Sequence, residues 1–557
     1  MSDDERPAEP VDFRCERDGY RHWRVEVEGP VATVTLAVDP EGGLRPDYEL
    51  KLNSYDLSVD IELYDIVQRL RFEHPEVGAV VVTGGLDRVF CAGANIQMLA
   101  GSSHEHKVNF CKFTNETRLG IEDAGSVSGQ KWIAALNGTA AGGGYELALA
   151  CDEIILVDDR SSTVSLPEVP LLGVLPGTGG LTRVVDKRHV RRDLADVFAT
   201  RAEGVRGQQA VTWKLVDSIA APSGFADLVR RRASEVAAGT PRPEGPGVTL
   251  GRLERTEDDA SVRYSALTLE LDRSSSVAHF RISGPAGPQP ASSDDLVAAG
   301  DRAWILRLCR ELDDAILHLR LNETAMGTWV FHTTGDHDAV LAVEETLERN
   351  ASHWLVREIR AYWKRTLKRL DTSSRTLVAL VEPGSCFTGT LAELVLASDR
   401  SFMLDGEPED EDLAAPCLVL TGANDGAYPM GNGLSRLETR YWGHPGELTA
   451  ARGVLGKPLL AQECADLGLV TFTPDDLDWD DEVRLALEER ASFSPDALTG
   501  LEANLRFVGP ETMETKIFGR LSAWQNWIFL RPNASGPDGA LRRYGTGSRP
   551  SYDRKRV

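Results

Sequence analysis

Apolar and polar residues alternate over Val31-Ala-Thr-Val-Thr-Leu36, the period of a strand with one face on a core. Residues 55–72 carry apolar positions at helical spacing and predict a helix. Ala79-Val-Val-Val82 is apolar throughout and ends at Thr83-Gly84-Gly85, as a strand buried on both faces does. Ile133-Ala-Ala-Leu136, closed by Asn137-Gly138, is another short strand. Residues 145–151 start a helix after three glycines, and Ile154-Ile-Leu-Val157 returns as a strand. Strands alternating with helices predict an α/β architecture. A Pro/Gly-rich stretch at 239–251 breaks the pattern and reads as a linker, and a second lies at 284–290.

The chain repeats itself at long range. Glu146-Leu-Ala-Leu-Ala-Cys-Asp152 recurs as Glu393-Leu-Val-Leu-Ala-Ser-Asp399, at an offset of 247 residues. Pro176-Gly-Thr-Gly-Gly-Leu-Thr-Arg183 recurs as Pro429-Met-Gly-Asn-Gly-Leu-Ser-Arg436 at 253, and Gln208 with Leu215-Val216 as Gln462 with Leu469-Val470 at 254. Three matches in one order at nearly one offset predict a duplicated domain rather than a solenoid. The copies differ in small and polar motifs. Phe90-Cys-Ala-Gly-Ala-Asn-Ile96 has no counterpart after Thr334-Gly335, and Gly142-Gly-Gly144 gives way to Thr388-Gly389-Thr390. Pro167-Glu168 has no clear partner, Ala415-Pro416-Cys417 standing nearby. The second copy keeps a framework and loses polar function.

Composition narrows the class. With 557 residues, 42% hydrophobic and 26% charged, the chain is long enough for several globular domains. A formal charge of −25 repels nucleic acid and anionic membranes, and any anionic ligand needs basic groups of its own. No apolar run is long enough to span a bilayer, and the first ten residues lack the parts of a secretory signal. The 8 cysteines are scattered without a C-x-x-C pair, which reads as reduced thiols in a cytoplasmic protein and neither a disulfide frame nor a metal site. Residues 542–557 are locally basic and read as a solvated, poorly ordered terminus.

Two loops in the first copy carry the candidate chemistry. Ala92-Gly93-Ala94 follows a strand and Gly142-Gly143-Gly144 precedes a helix. Small residues let a ligand approach the backbone, and a helix start adds partial positive charge. Two converging N–H groups would make an oxyanion hole for a thioester carbonyl. Glu146 stands in the first turn of the following helix and Glu168 in a loop leading to Leu175-Pro-Gly-Thr-Gly-Gly180. Each carboxylate alone is ordinary; together, near an oxyanion hole, they could divide acid and base work on a water.

These motifs, F-x-A-G-A-x-I, then N-G-x-x-x-G-G-G-x-E-L-A-x-x-C-D, then P-E-x-x-L-G-x-x-P-G-x-G-G, resemble the crotonase (enoyl-CoA hydratase/isomerase) superfamily over roughly residues 25–220. The resemblance implies tandem crotonase-like modules of ββα spiral, the second degenerate, followed by C-terminal helices. The implied boundaries are a catalytic domain at 1–250, a degenerate domain at 251–500 and a helical region with a basic tail at 501–557. It implies Glu146 and Glu168 as catalytic carboxylates and the backbone N–H groups of Ala94 and Gly143 as the oxyanion hole. Arg88, Ala92 and Ile96 fall at CoA-contacting positions. Asn95 departs from the family's usual Asp. No metal or redox cofactor is implied, because CoA enters as part of an acyl-CoA substrate.

Val108-Asn-Phe-Cys-Lys-Phe-Thr-Asn-Glu116 and Ser165-Leu-Pro-Glu-Val-Pro-Leu-Leu-Gly173 are similar to a ring-cleaving branch of that superfamily. That likeness implies hydrolysis of 2,3-epoxybenzoyl-CoA with two waters to 3,4-dehydroadipyl-CoA semialdehyde and formate. An enoyl-CoA hydratase for another acyl-CoA and a non-catalytic CoA-thioester binding protein are the alternative readings. Cys111 lies in the branch-like segment and is a candidate substrate contact, although Phe110, Phe113 and Thr117 favour a packed helix face. A tandem fusion supplies an internal module contact, so a homodimer is expected.

Overall fold

The computed structural model describes residues 10–243, 245–406 and 414–557. Two compact units emerge, Phe13–Arg252 and Leu253–Val557, the latter taking in the segment that ends at Asp12.

In the N-terminal unit, β1 (Trp23–Glu28) and β2 (Val31–Leu36) form an antiparallel hairpin. Onto β2 are added, all parallel, β3 (Ala79–Gly84), β5 (Lys131–Leu136), β7 (Glu153–Val157) and β9 (Ser218–Ala220). The unbroken apolar run of β3 follows from cover on both faces. Ala79, Val81, Ile133, Ala135 and Ile155 pack with Ala233 and Ala237 of the helix Pro222–Ala238, while Val80, Val82 and Ala134 are equally buried on the other side. Each buried valine and isoleucine among them contributes about 1.5–3 kcal/mol. Helix α1 (Leu57–Phe72) begins at Asp56, which caps Ser58 N–H at 2.9 Å.

Three short strands, β4 (Arg88–Cys91), β6 (Gly138–Ala141) and β8 (Val164–Ser165), make a separate parallel sheet. Their carboxyl ends run directly into the three segments singled out above: Ala92–Asn95, Gly142–Gly144 and Pro167–Glu168. The carboxyl ends of parallel strands are where open α/β sheets place their ligands. The remaining helices near these ends are α2 (Ile96–Gly101), α3 (His104–Asp123), α4 (Gly143–Ala150) and α5 (Glu168–Leu172). Two local expectations change. Helix α4 starts inside the glycine triplet, because Gly143 already has helical backbone, and Glu168 opens a short helix rather than sitting in a loop.

The C-terminal unit holds a seven-stranded sheet in the order β10 (Thr256–Asp258), β11 (Ser261–Arg263), β12 (Leu267–Asp272), β13 (Val277–Ser283), β14 (Thr328–Thr334), β15 (Thr376–Val381) and β16 (Arg400–Met403). Strands β12 and β13 pair antiparallel and β13 to β16 run parallel, the same sequence of pairings as β1, β2, β3, β5 and β7. A parallel bridge between Phe402 and Phe472 extends this edge as β9 extends β7.

Residues 501–557 do not form a region of their own but belong to this unit. The expectation of a solvated basic tail is corrected at its end. Arg556 and Val557 are buried, Arg556 pairing with Glu502 and donating from its backbone N–H to Thr324 O at 2.9 Å. Arg375 donates to Val557 O at 3.1 Å. A buried carboxylate needs a cation, and Glu502 draws in the basic terminus.

Candidate active site

Glu146 and Glu168 meet at the N-terminus of α4. The backbone N–H of Glu146 closes the first turn on Gly142 O at 2.9 Å. Gly142 is held at φ +52°, and a Cβ there would lie 2.6 Å from Oε1 of Glu168, so glycine alone leaves room for that carboxyl. Gly142 N–H donates to Ser165 O at 2.9 Å, which fixes β8, and with it Pro167–Glu168, against this turn.

The two carboxyls have different surroundings. Glu146 is 2% exposed and accepts from Thr178 N–H at 3.0 Å, Gly180 N–H at 2.7 Å and the Thr178 hydroxyl. Thr178 is held in turn by Arg183, which donates to its carbonyl at 3.1 Å and grips Glu122 with two nitrogens at 2.9 and 3.0 Å. Glu168 is half-buried, and its Oε2 is enclosed without a hydrogen-bond partner. Burial, with the Glu146 carboxylate as the second cause, pushes its pKa up to about 7. It can hold or release a proton near neutrality, the range a general acid or base requires.

The 92–95 segment lies against the glycine triplet. A Cβ on Gly93 would sit 3.1 Å from Gly143 N. Tyr55 N–H donates to Gly93 O at 3.0 Å and Asn95 N–H to Tyr55 O at 2.8 Å, so the alternation turns Ala94 N–H away from this ladder. Gly143 N–H is the first of α4 and, like that of Ala94, donates to no backbone acceptor among the described residues. Asn95 does work that Asp could not. Its oxygen caps Met98 N–H at 2.9 Å while its amide nitrogen donates to Glu49 O at 2.8 Å. Ala92 and Ile96 are exposed at the two ends of this segment, and Arg88, at the start of β4, is exposed with φ at +61°.

Cys111 on α3 is half-buried and not sealed in a core. Its Sγ lies 3.4 Å from where a Cβ on Gly177 would stand, in the loop that holds Glu146. Burial, reinforced by the Glu146 carboxylate, pushes its thiol up to about 11, so it stays protonated at neutral pH.

Beneath the loops is a buried group the sequence reading missed. Arg118 donates to Gly143 O at 2.8 Å and to the Tyr55 hydroxyl at 3.0 Å. Tyr55 fills the space beside Gly143, where any Cβ would collide with its hydroxyl. Burial is the largest single influence on Arg118 and lowers its pKa, but Tyr55, Asp60 and Glu146 together outweigh it and hold the pKa up. The available signal was a charged residue among Phe110, Phe113, Thr114, Thr117 and Ile121 on one buried helix face. Among the described residues no group of three or more His, Cys, Asp or Glu is placed to hold a metal ion, and no helix is long and apolar enough to cross a membrane.

Residues 47–243 match the enoyl-CoA hydratase/isomerase family. Over its whole length the chain is similar to the benzoyl-CoA-dihydrodiol lyase of Aromatoleum evansii, with 55% identity across 99% of this chain and 98% of that protein. Shorter likenesses include the (E)-benzylidenesuccinyl-CoA hydratase of Thauera aromatica, 29% identical over 39% of this chain and 77% of that protein. The carnitinyl-CoA dehydratase of Proteus mirabilis is 28% identical over 34% of this chain and 69% of its own. A solved enoyl-CoA hydratase from Bacillus anthracis is 26% identical over 39% of this chain and 77% of its own, with a TM-score of 0.33.

Proposed function

The chain belongs to the family of benzoyl-CoA-dihydrodiol lyase, within the enoyl-CoA hydratase/isomerase superfamily, and from that premise we propose that it is a ring-cleaving carbon–carbon lyase of aerobic benzoate degradation. Its substrate is 2,3-epoxybenzoyl-CoA, opened with two waters to 3,4-dehydroadipyl-CoA semialdehyde and formate. The observation that carries this reading is the end-to-end likeness at 55% identity. The hydratase and dehydratase relatives named above cover 34–39% of the chain and account for one unit only.

The thioester oxygen sits between the N–H groups of Ala94 and Gly143, where negative charge developing on it is stabilised at a helix start. Glu168, with a pKa of about 7 and one enclosed, unpaired oxygen, and Glu146, held by Thr178 and Gly180, position the waters, accept their protons and return them as the ring opens. Ala92 and Ile96, on the exposed side of the 92–96 segment, and Arg88, at the start of β4, line the CoA moiety. Cys111, a neutral thiol beside the Gly177 loop, contacts the substrate ring without acting as a nucleophile. The reading uses no metal or redox cofactor.

The C-terminal unit is a second, degenerate crotonase-like module, supported by the recurring order of strand pairings and by the repeated Glu146 and Glu393 segments. The protein works in the cytoplasm as a homodimer.

The test is product analysis with enzymatically prepared 2,3-epoxybenzoyl-CoA. One formate per thioester consumed is the expected result. Hydration of crotonyl-CoA with no formate from the epoxide would replace the reading with a hydratase. Binding of both thioesters without turnover would replace it with a binding protein.

A further inference from the structure

We infer that the C-terminal unit carries a second ligand site, remote in sequence from the catalytic carboxylates, that takes a small monocarboxylate with an apolar body. The site is a cavity of about 280 Å³ bounded by the helices Arg436–Arg440, Trp479–Ser492 and Pro495–Leu505 and by the Leu396–Asp399 turn.

Its charged wall is uneven. Asp371, Asp399 and Glu502 line it, and each is already paired: with Arg436 at 2.7 Å, Arg506 at 2.6 Å and Arg490 at 3.1 Å. Arg440 is the cation left over. Its Nε donates to Gly468 O at 2.6 Å, and its two terminal nitrogens have no partner among the described residues. The Arg440 side chain is half-buried, and burial lowers the pKa of its guanidinium. The Nε of Arg436, on the same wall, is also buried and unpaired.

The N-terminal unit shows what is missing. There Arg188 donates through Nε to Lys214 O at 2.9 Å, and its fork closes on the two oxygens of Asp217 at 2.9 and 3.0 Å. Asp217 also accepts from Ile154 N–H at 2.7 Å. In the C-terminal unit Ser401 N–H makes the matching bond at 3.1 Å, but to the hydroxyl of Thr471. Lys214 and Gly468 both have positive φ, +62° and +71°, and both lie three residues before the acceptor. Arg440 is therefore the counterpart of Arg188 with its carboxylate replaced by Thr471, and a planar fork lacking its carboxylate is a receptor for one. Leu396, Met430, Leu505 and Val508 give the rest of the cavity an apolar lining, which favours a hydrocarbon body over a bare inorganic anion.

The experiment is calorimetric titration of the full chain with hexanoate, and separately with inorganic phosphate. Hexanoate is expected to bind saturably at one site. Arg440→Gln should weaken it by tenfold or more. Thr471→Asp should do the same by closing the fork internally, while still accepting from Ser401 N–H and keeping the unit folded. Glu168→Gln should leave it unchanged. Absence of saturable hexanoate binding, binding that survives Thr471→Asp, loss of binding in Glu168→Gln, or binding of phosphate alone would each overturn the inference.

Discussion

Glu146 and Glu393 occupy the same place in two similar frames. Each lies in the first turn of a short helix that follows a glycine of positive φ, Gly142 at +52° and Gly389 at +51°. Gly142 N–H bonds to Ser165 O and Gly389 N–H to Val419 O, both at 2.9 Å, which puts Gly422 where Glu168 stands. The partners of the two carboxyls differ. Glu146 is held by neutral donors, whereas Glu393 faces the buried Arg436 at 3.0 Å and Asn424 at 2.8 Å. Gly143 N–H donates to no backbone acceptor among the described residues, whereas Thr390 N–H donates to the Glu344 carboxylate at 2.9 Å. Around Glu393 the polar groups have internal partners, which is what burial asks of them. Among the described residues the Glu146 side keeps two N–H groups without a backbone acceptor, those of Ala94 and Gly143, and an enclosed Glu168 oxygen without a partner.

The largest expected effect tests that asymmetry directly. Glu146→Gln and Glu168→Gln each preserve shape and remove basicity, so each should lower kcat by about 10²–10⁴-fold while leaving CoA-thioester binding nearly intact. The double variant should lose less than the product, as the proposed action of both groups on the same waters requires. Glu393→Gln should leave turnover within a few-fold. A Glu393→Gln enzyme as impaired as Glu146→Gln, in steady-state assays of formate release, would break the comparison.

The next effect is on stability. Arg436 is buried between Asp371 and Glu393, and Arg436→Ala leaves both carboxylates without their cation. Removing one partner of a buried ion pair typically costs about 3–5 kcal/mol. Urea unfolding should show a loss of that size in the C-terminal unit, with turnover per folded molecule kept. Unchanged unfolding, or a catalytic loss without one, would mean that Arg436 has been assigned to the wrong role.

Much of this was legible before any coordinates. The apolar run of β3 and the alternation of β2 both pointed to strands, and strands they are. The ring of partners was not legible. Nothing in the spacing of Thr178, Gly180 and Arg118 says that two hold Glu146 and the third holds Gly143 O, since these bonds span 25 to 34 residues through a fold. The plug at Thr390 was equally hidden, because Glu344 comes from a helix whose sequence pattern is merely amphipathic. The basic tail misled for a related reason: net charge describes a solvated segment until a buried carboxylate such as Glu502 claims it.

The smallest effect concerns how strongly the Glu146 and Glu168 carboxyls feel each other. Glu168 has its pKa raised from 4.5 to about 7, first by burial and second by the Glu146 carboxylate. The rate profile should therefore inflect near pH 7, and Glu168→Gln should remove that inflection. Glu146→Gln should move it to lower pH, leaving it above the ordinary carboxylate range because burial, the larger cause, persists. The same shift acts on stability. A carboxyl whose folded pKa lies above its unfolded value favours the fold while protonated. Its contribution is full below about pH 4.5 and is lost as pH rises through about 7. Glu168→Gln cannot ionise, so its Tm should exceed that of the wild type at pH 8 and converge with it towards pH 4.5. An inflection unmoved by Glu146→Gln, or a Tm difference that does not grow with pH, would mean that the two carboxyls do not share one buried site. The contrast with Glu393, tied to Arg436, would then lose its basis.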